Sequence, residues 1–361
     1  MGILERMVAN DHEELVFVQD RAAGLRAIIS VHSTVLGPTL GGLRMWPYAS
    51  EEEAVYDVLR LAEAMTYKAA ASNLKLGGGK AVIIGDPRKD KTPELFRAMG
   101  RAIEKLGGRY ITAEDVGTSV EDMEYIRETT QYVTGTNRAE GGSGDPSPTT
   151  AAGVQESIVA CLEAINGAPG RGDELLDGVR VAVQGVGHVG SILCRNLAAK
   201  GARLTVCDIN REQAERVARQ CGAAVVAPEK IYDVEADVFA PCALGAVLND
   251  KTIPRLKCCI VAGGANNQLA DAERDGAMLE KRHILYAPDY VANAGGLINI
   301  YYRDILGRPC DAEAWSPTGI YETMKTVLSM AHERKVPTYR AAQDLASARI
   351  EEARREKAGQ R

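Results

Sequence analysis

Lys68 and Lys80 bracket most of the stretch MTYKAAASNLKLGGGK (65–80), and Asp115 follows one strand later. A lysine moved out of water gives up its proton more readily, because low dielectric disfavours the ammonium. A second lysine pushes the same way, whereas a nearby carboxylate opposes both. Such a set can divide its work: one cation holds a substrate carboxylate, and one near-neutral amine handles protons. Gly77, Gly78 and Gly79, read here as the end of a turn, have no side chains and let backbone and ligand come close. Taken alone, the stretch reads more simply as a glycine turn between two solvated lysines. The rest of the chain reverses that preference.

The surrounding elements follow from the residue pattern. Phe17-Val18 and residues 27–32 read as strands. Ser50 opens a helix, with Glu53 as the second half of a capping box. Ala54, Val55, Val58, Leu59, Ala62 and Met65 then recur at helical spacing. Residues 80–84 read as a strand, and Thr92-Pro93 starts a helix that Gly107-Gly108 ends. Residues 109–113 form another strand, which sets Asp115 at a strand's C-terminal end, where α/β proteins gather ligands. The Gly- and Pro-rich run 141–148 marks a loop near a domain boundary, and a helix follows from about Thr150. Strands at 179–184, 203–207, 223–226, 237–240, 258–262 and 284–287 alternate with helices or loops, the pattern of a doubly wound parallel sheet. From about Ser316 the chain reads as two helices separated near Pro337.

Gly185-Val186-Gly187-His188-Val189-Gly190 fits G-x-G-x-x-G between an apolar strand and a helix, and Asp208 ends the next strand. The first glycine permits the tight turn, the second lets a pyrophosphate reach the backbone, and the third lets helix pack on strand. Asp208 can bond ribose hydroxyls and would repel a 2′-phosphate, so NAD is expected over NADP. His188 reads as a backbone-donor position and not as a base. The fold class is therefore α/β in two domains. An N-terminal α/β substrate domain spans 1–137, and a Rossmann-type doubly wound NAD-binding domain spans 138–334. A return of the helices at about 335–361 to the first domain is left open.

Composition narrows the partners. A chain of 361 residues, 45% hydrophobic, is long enough for two cores. Its net charge of -6, without a basic block, argues against nucleic acid. No apolar run approaches the roughly 20 residues of a membrane span, and the acidic N-terminus does not read as a signal peptide, so a cytoplasmic protein is expected. Eight scattered cysteines read as buried free thiols, and five histidines show no metal-ligand spacing, so no metal is expected.

With these motifs in order, the sequence resembles the amino-acid dehydrogenase superfamily of glutamate, leucine, phenylalanine and valine dehydrogenases, most closely its leucine-specific branch. The resemblance runs through GPTLGGLRMWPY (37–48), MTYKAA, LGGGKAVIIGDPRKDK, RYITAEDVGT, GDPSPTTA, VAVQGVGHVG, VCDIN, APCALGAVLND, AGGANNQL and APDYVANAGGLIN. It implies reversible oxidative deamination of a branched-chain L-amino acid by NAD, in a homo-oligomer, an octamer. It places Lys68 on the substrate carboxylate, Lys80 as the group activating water, and Asp115 as the proton shuttle on the substrate nitrogen. Thr150 is expected at the nicotinamide amide, Ile209 and Cys242 join the loop residues at the cofactor, and Asn266 and Asn267 lie near the reacting centre. Gly41 and Gly42 lie at the substrate. The glutamate branch carries a lysine for the distal carboxylate where this chain has Leu40. An aliphatic substrate should therefore fit, with Ala113, Val291, Ala292 and Ala294 as further lining. Leu43 stands where the leucine branch usually shows threonine. His188, Gly190 and the segment 300–317, with Arg308, Pro309, Cys310 and Trp315, also depart from the family pattern; Leu43 and that segment leave phenylalanine or valine preference open. Outside enzymes, the alternative is a catalytically silent NAD-binding regulatory protein.

Overall fold

Two compact units divide the chain. One holds Met1–Asp145, Asn299–Cys310 and Ala346–Arg361, and the other Pro146–Ile298 with Asp311–Leu345. The computed structural model describes residues 2–137, 142–167, 172–308 and 319–359. Gly141, Pro309, Cys310 and Trp315 lie outside the described residues. No helix among them is long and apolar enough to cross a membrane.

The first unit is built on β1 (Glu14–Asp20), β2 (Leu25–Ser33), β3 (Thr39–Trp46), β4 (Gly77–Ile84) and β5 (Tyr110–Glu114), in the order β1-β2-β4-β3-β5. β2 runs antiparallel to β1 and β4, whereas β3 runs parallel to β4 and β5. Helices α1 (Ile3–Ala9), α2 (Glu51–Ala71), α3 (Pro93–Glu104) and α4 (Val120–Arg127) complete the layers. The apolar stripe of α2, with Val55, Val58 and Leu59, packs on Ile28 and Val82. The opposite face of the sheet buries Leu43, Met45, Ala81 and Ile83 with Phe96 and Met99 of α3 and Met123 of α4.

Three local expectations change. β3 was not expected as a strand, because its adjacent glycines carry little β-signal; pairing on both sides overrides that weakness. Gly77, Gly78 and Gly79 are strand residues and not a turn, which falls earlier at Ser72-Asn73 with Asn73 left-handed at φ 54°. The glycines answer a packing demand. A Cβ on Gly78 would lie 2.1 Å from the Thr66 backbone nitrogen of α2, and one on Gly79 would lie 2.7 Å from the Tyr110 ring. Ser50 caps α2 by accepting from the Glu53 amide at 3.1 Å, but Glu53 accepts from the Ala49 amide at 2.9 Å, so the box closes one residue early.

The second unit carries β6 (Arg180–Gln184), β7 (Arg203–Cys207), β8 (Ala224–Val225), β9 (Val238–Pro241), β10 (Ile260–Val261) and β11 (Leu285–Tyr286), ordered β11-β10-β9-β6-β7-β8 and all parallel. The order reverses between β6 and β9, which makes this a doubly wound sheet. Helices α5 (Ser147–Asn166), α6 (His188–Ala199), α7 (Arg211–Cys221) and α8 (Ala272–Lys281) accompany it. α5 begins three residues before the expected Thr150, since Pro148 is tolerated in a helix's first turn. Two C-terminal helices, Ile320–Arg334 and Thr338–Gly359, are divided at Pro337. Three of the seven described cysteines are buried, Cys161, Cys194 and Cys207, while Cys259 is exposed, so burial of the thiols is only partial.

Gly78 tests the packing of α2 on β4, because its clash lies on the Thr66 backbone nitrogen. Gly78→Ala should destabilise the protein by about 3 kcal/mol, the upper end of the usual cost of overpacking, in denaturant unfolding. An unchanged midpoint would show that α2 and β4 are not so closely apposed.

Candidate active site

β3 keeps one register against β4 from Leu40–Gly78 to Arg44–Val82. With a side-chain period of two, Leu40, Gly42 and Arg44 share the sheet face of Gly78, Lys80 and Val82. Gly42 pairs with Ala113 on β5, which brings Ala113 to that face, and Asp115 follows just past the strand end. The sheet thus gathers Leu40, Gly42, Lys80, Ala113 and Asp115.

Their geometry is that of a buried ion cluster. Lys80, only 5% exposed, places Nζ 3.0 Å from Asp115 Oδ2. Arg44 Nε donates to the same oxygen at 3.0 Å, and its Nη1 donates to Asp57 Oδ2 at 2.9 Å. Tyr48 Oη and Arg60 Nη2 also donate to Asp57, at 2.7 and 2.9 Å. Burial alone would raise the Asp115 carboxyl, but the Lys80 and Arg44 charges outweigh it and hold it below the usual carboxylate range. Glycine makes the space: a Cβ on Gly42 would lie 2.7 Å from Asp115 Cβ, and one on Gly41 would lie 1.7 Å from the Gly79 carbonyl oxygen. Tyr110 Oη fixes that backbone by donating to the Gly41 carbonyl at 2.7 Å. Lys68 lies half-buried in the last turn of α2, two residues beyond Thr66, the neighbour of Gly78.

Arg44, Asp57 and Tyr48 were not singled out from sequence. Arg44 and Tyr48 did stand inside the 37–48 motif, and Asp57 and Arg60 share a helix face at i, i+3.

In the second unit the glycine loop closes over the C-terminal ends of the strands. Gly185 is left-handed at φ 88°, and a Cβ on Gly190 would lie 2.0 Å from the Gly185 carbonyl oxygen. Gly187 begins α6 without a side-chain cap and would have nothing within 4 Å of a Cβ. The helix therefore presents backbone amides beside open space, which suits a pyrophosphate. Asp208 accepts from the Val186 amide through Oδ2 and from the Asn210 amide through Oδ1, both at 2.9 Å. This fixes a carboxylate whose remaining lone pairs suit ribose hydroxyls. Cys242 accepts from the Gly264 amide at 3.4 Å, and a Cβ on Gly264 would approach Val189. His188 and Ile209 are exposed at this end, Ile209 at 95%. These residues fit a dinucleotide.

Thr150 lies in the first turn of α5 and donates to the Pro146 carbonyl at 3.0 Å. Asn266 Oδ1 accepts from Asn293 Nδ2 at 2.7 Å, and Asn293 is a buried support that sequence reading passed over. Asn267 is left-handed at φ 51° and its carbonyl accepts from the Ala246 amide, a turn role. Val291, Ala292 and Ala294 are buried in this unit.

Comparison with known proteins identifies the family. A family model described as the Glu/Leu/Phe/Val dehydrogenase dimerisation domain matches residues 12–132, and one described as glutamate/leucine/phenylalanine/valine dehydrogenase matches 205–358. The leucine dehydrogenase of Thermoactinomyces intermedius is 56% identical over 97% of this chain and 94% of its own length. That of Bacillus subtilis is 50% identical over 98% and 96%. The crystal structure of L-tryptophan dehydrogenase from Nostoc punctiforme superposes with a TM-score of 0.83 at 43% identity, covering 98% of this chain and 99% of that one.

The ion cluster has a defined pH signature. With its pKa depressed from 3.8, Asp115 contributes stability that is fully present above that value and is lost as pH falls through the lower, folded one. Asp115→Asn strands Lys80, leaves Arg44 with Asp57 alone and should cost about 3 kcal/mol at neutral pH. The gap to wild type should be constant above about pH 5 and close in acid. A gap that stays constant as pH is lowered through the acid range, measured by denaturant unfolding, would contradict an ionic origin.

Proposed function

The chain belongs to the glutamate/leucine/phenylalanine/valine dehydrogenase family, and from that premise we propose that it is an NAD-dependent dehydrogenase of branched-chain L-amino acids. Leucine, with valine and isoleucine, is converted reversibly to the 2-oxo acid and ammonia. The observation that carries the reading is the 3.0 Å contact between the buried Lys80 ammonium and Asp115 at the C-terminal end of β5. A lysine withdrawn from water beside a carboxylate is a proton-handling device, and a purely structural role would be served more cheaply by apolar residues.

The residues divide the chemistry. Gly185, Gly187 and Gly190 with the α6 amides hold the pyrophosphate, Asp208 holds the ribose, and Thr150 meets the nicotinamide amide. When bound, NAD accepts the hydride from the substrate Cα. Lys68 holds the substrate carboxylate. Lys80, in its neutral amine form once its own proton has passed to solvent, takes a proton from the water that adds to the substrate iminium carbon. Asp115 carries protons to and from the nitrogen, which departs as ammonia, and the water oxygen becomes the keto oxygen.

Leu40 supports the aliphatic preference. It is 2% exposed and shares the face of Lys80, so a distal substrate carboxylate there would lose water and gain no partner. Ala113 on the same face leaves volume for a branched chain.

The deciding experiment follows NADH formation from NAD with leucine, isoleucine, valine, methionine, phenylalanine and glutamate. Branched aliphatics should lead and glutamate should be silent; leadership by glutamate would reverse the Leu40 argument. Lys80→Ala should abolish turnover while NADH still binds with its usual fluorescence enhancement. Near-normal turnover in that variant would remove Lys80 from the mechanism.

A further inference from the structure

We propose that Arg44 is a positioning residue for the reaction: anchored by Asp57, it pins Asp115 through Oδ2 and turns Oδ1 toward the substrate nitrogen. The proposal rests on the amino-acid dehydrogenase reading above. Its evidence is an asymmetry. Both cations meet the same oxygen, Lys80 Nζ and Arg44 Nε each at 3.0 Å from Oδ2. Among the described residues no hydrogen bond falls on Oδ1, and the side chain is 21% exposed. One oxygen is therefore committed to the protein and the other is left for exchange. A carboxylate bound through both oxygens could not take a proton without breaking a charged contact.

Arg44 is itself fixed. Its planar fork spans two carboxylates from different elements, Asp115 after β5 and Asp57 on α2. Asp57 in turn accepts from Tyr48 and Arg60, so the carboxylate that anchors the guanidinium is itself held in place. The titratable and charged groups about Asp115 are then few. Lys80 comes from β4 and Arg44 from β3, while Tyr110 and Glu114 lie on its own strand. Asp57, Tyr48 and Arg60 act through Arg44, and Lys68 stands in the last turn of α2. Lys80 changes charge during turnover and so cannot supply a constant field. Arg44 keeps its proton throughout and can. It holds Asp115 ionised while the lysine proton comes and goes.

Three variants test this: Arg44→Gln removes charge and fork, Arg44→Lys keeps the charge alone, and Asp57→Asn frees the far end of Arg44. In Arg44→Gln, kcat for deamination should fall on the order of 100-fold, as for a misplaced reacting group. KM for the amino acid should stay within about threefold. The acid limb of the kcat profile should move to higher pH, because loss of a cation makes the remaining groups of the cluster, which titrate together, easier to protonate. Arg44→Lys should restore the limb but only part of kcat, and Asp57→Asn should lower kcat without abolishing it. A limb at the wild-type pH with kcat within about threefold in Arg44→Gln would overturn the proposal. If wild type oxidises no amino acid at all, the functional reading fails. The pinning is then judged by carboxyl 13C titration of Asp115 in wild type and Arg44→Gln, where an upward shift in the variant sustains it and coincident curves end it.

Discussion

A carboxylate that has left most of its water must be met by opposite charge, and in this protein Asp115 is met twice, by Lys80 and by Arg44. The three groups come from three adjacent parallel strands or their ends, β4, β3 and β5. Satisfying the carboxylate therefore fixes which strands are neighbours and in what register they pair. A slip of one residue in β3 would turn Arg44 to the other face, into the cluster of Leu43, Met45, Phe96 and Met99. It would leave Asp115 with one cation and bury a guanidinium without a partner. The ion cluster and the hydrophobic core thus enforce the same register from opposite faces of one sheet.

Glycine supplies the closeness that both units need, in two distinct ways. In the first unit, Gly41, Gly42, Gly78 and Gly79 let backbone approach backbone, the Tyr110 ring or the base of the Asp115 side chain. They remove volume so that protein groups can meet. In the second unit, Gly185 and Gly190 likewise bring loop and helix together, but Gly187 borders open space. There the missing side chain exposes the helix amides. The same residue type in a short motif serves packing at one position and a ligand at another, and only the surrounding atoms tell them apart.

This ambiguity explains what sequence could and could not disclose. The parallel sheet of the second unit was legible, because apolar strands alternate with helices and the glycine loop sits where a first β–α turn should. Lys80 and Asp115 were legible through residue type and through family resemblance. β3 and the strand placement of Gly77–Gly79 were not, since glycine carries almost no local β-signal and its place in a sheet is decided by what passes within 3 Å of it. Arg44 and Asp57 escaped notice for another reason. An arginine and an aspartate thirteen residues apart read as ordinary surface charge until a strand and a helix bring Nη1 and Oδ2 to 2.9 Å. The register of tertiary contacts, absent from local pattern, made them part of the site.

The strand parity also resolves the departure at Leu43. This residue stands where the leucine-specific branch usually carries threonine, which left substrate preference open. Leu43 is fully buried on the face opposite Lys80, against Met45, Ala81, Phe96 and Met99. Leu40 lies on the Lys80 face, three residues earlier. Alternation allows only one of the two to share the face of Lys80, and that residue is Leu40. At position 43 a threonine hydroxyl would need a hydrogen-bond partner in an apolar core, a demand that leucine removes. The substitution therefore acts on how β3 packs over α3 and α4. On the proposed function, its influence on substrate choice would pass only through the position of the β3 backbone, whereas Leu40 would act by the charge it does not carry.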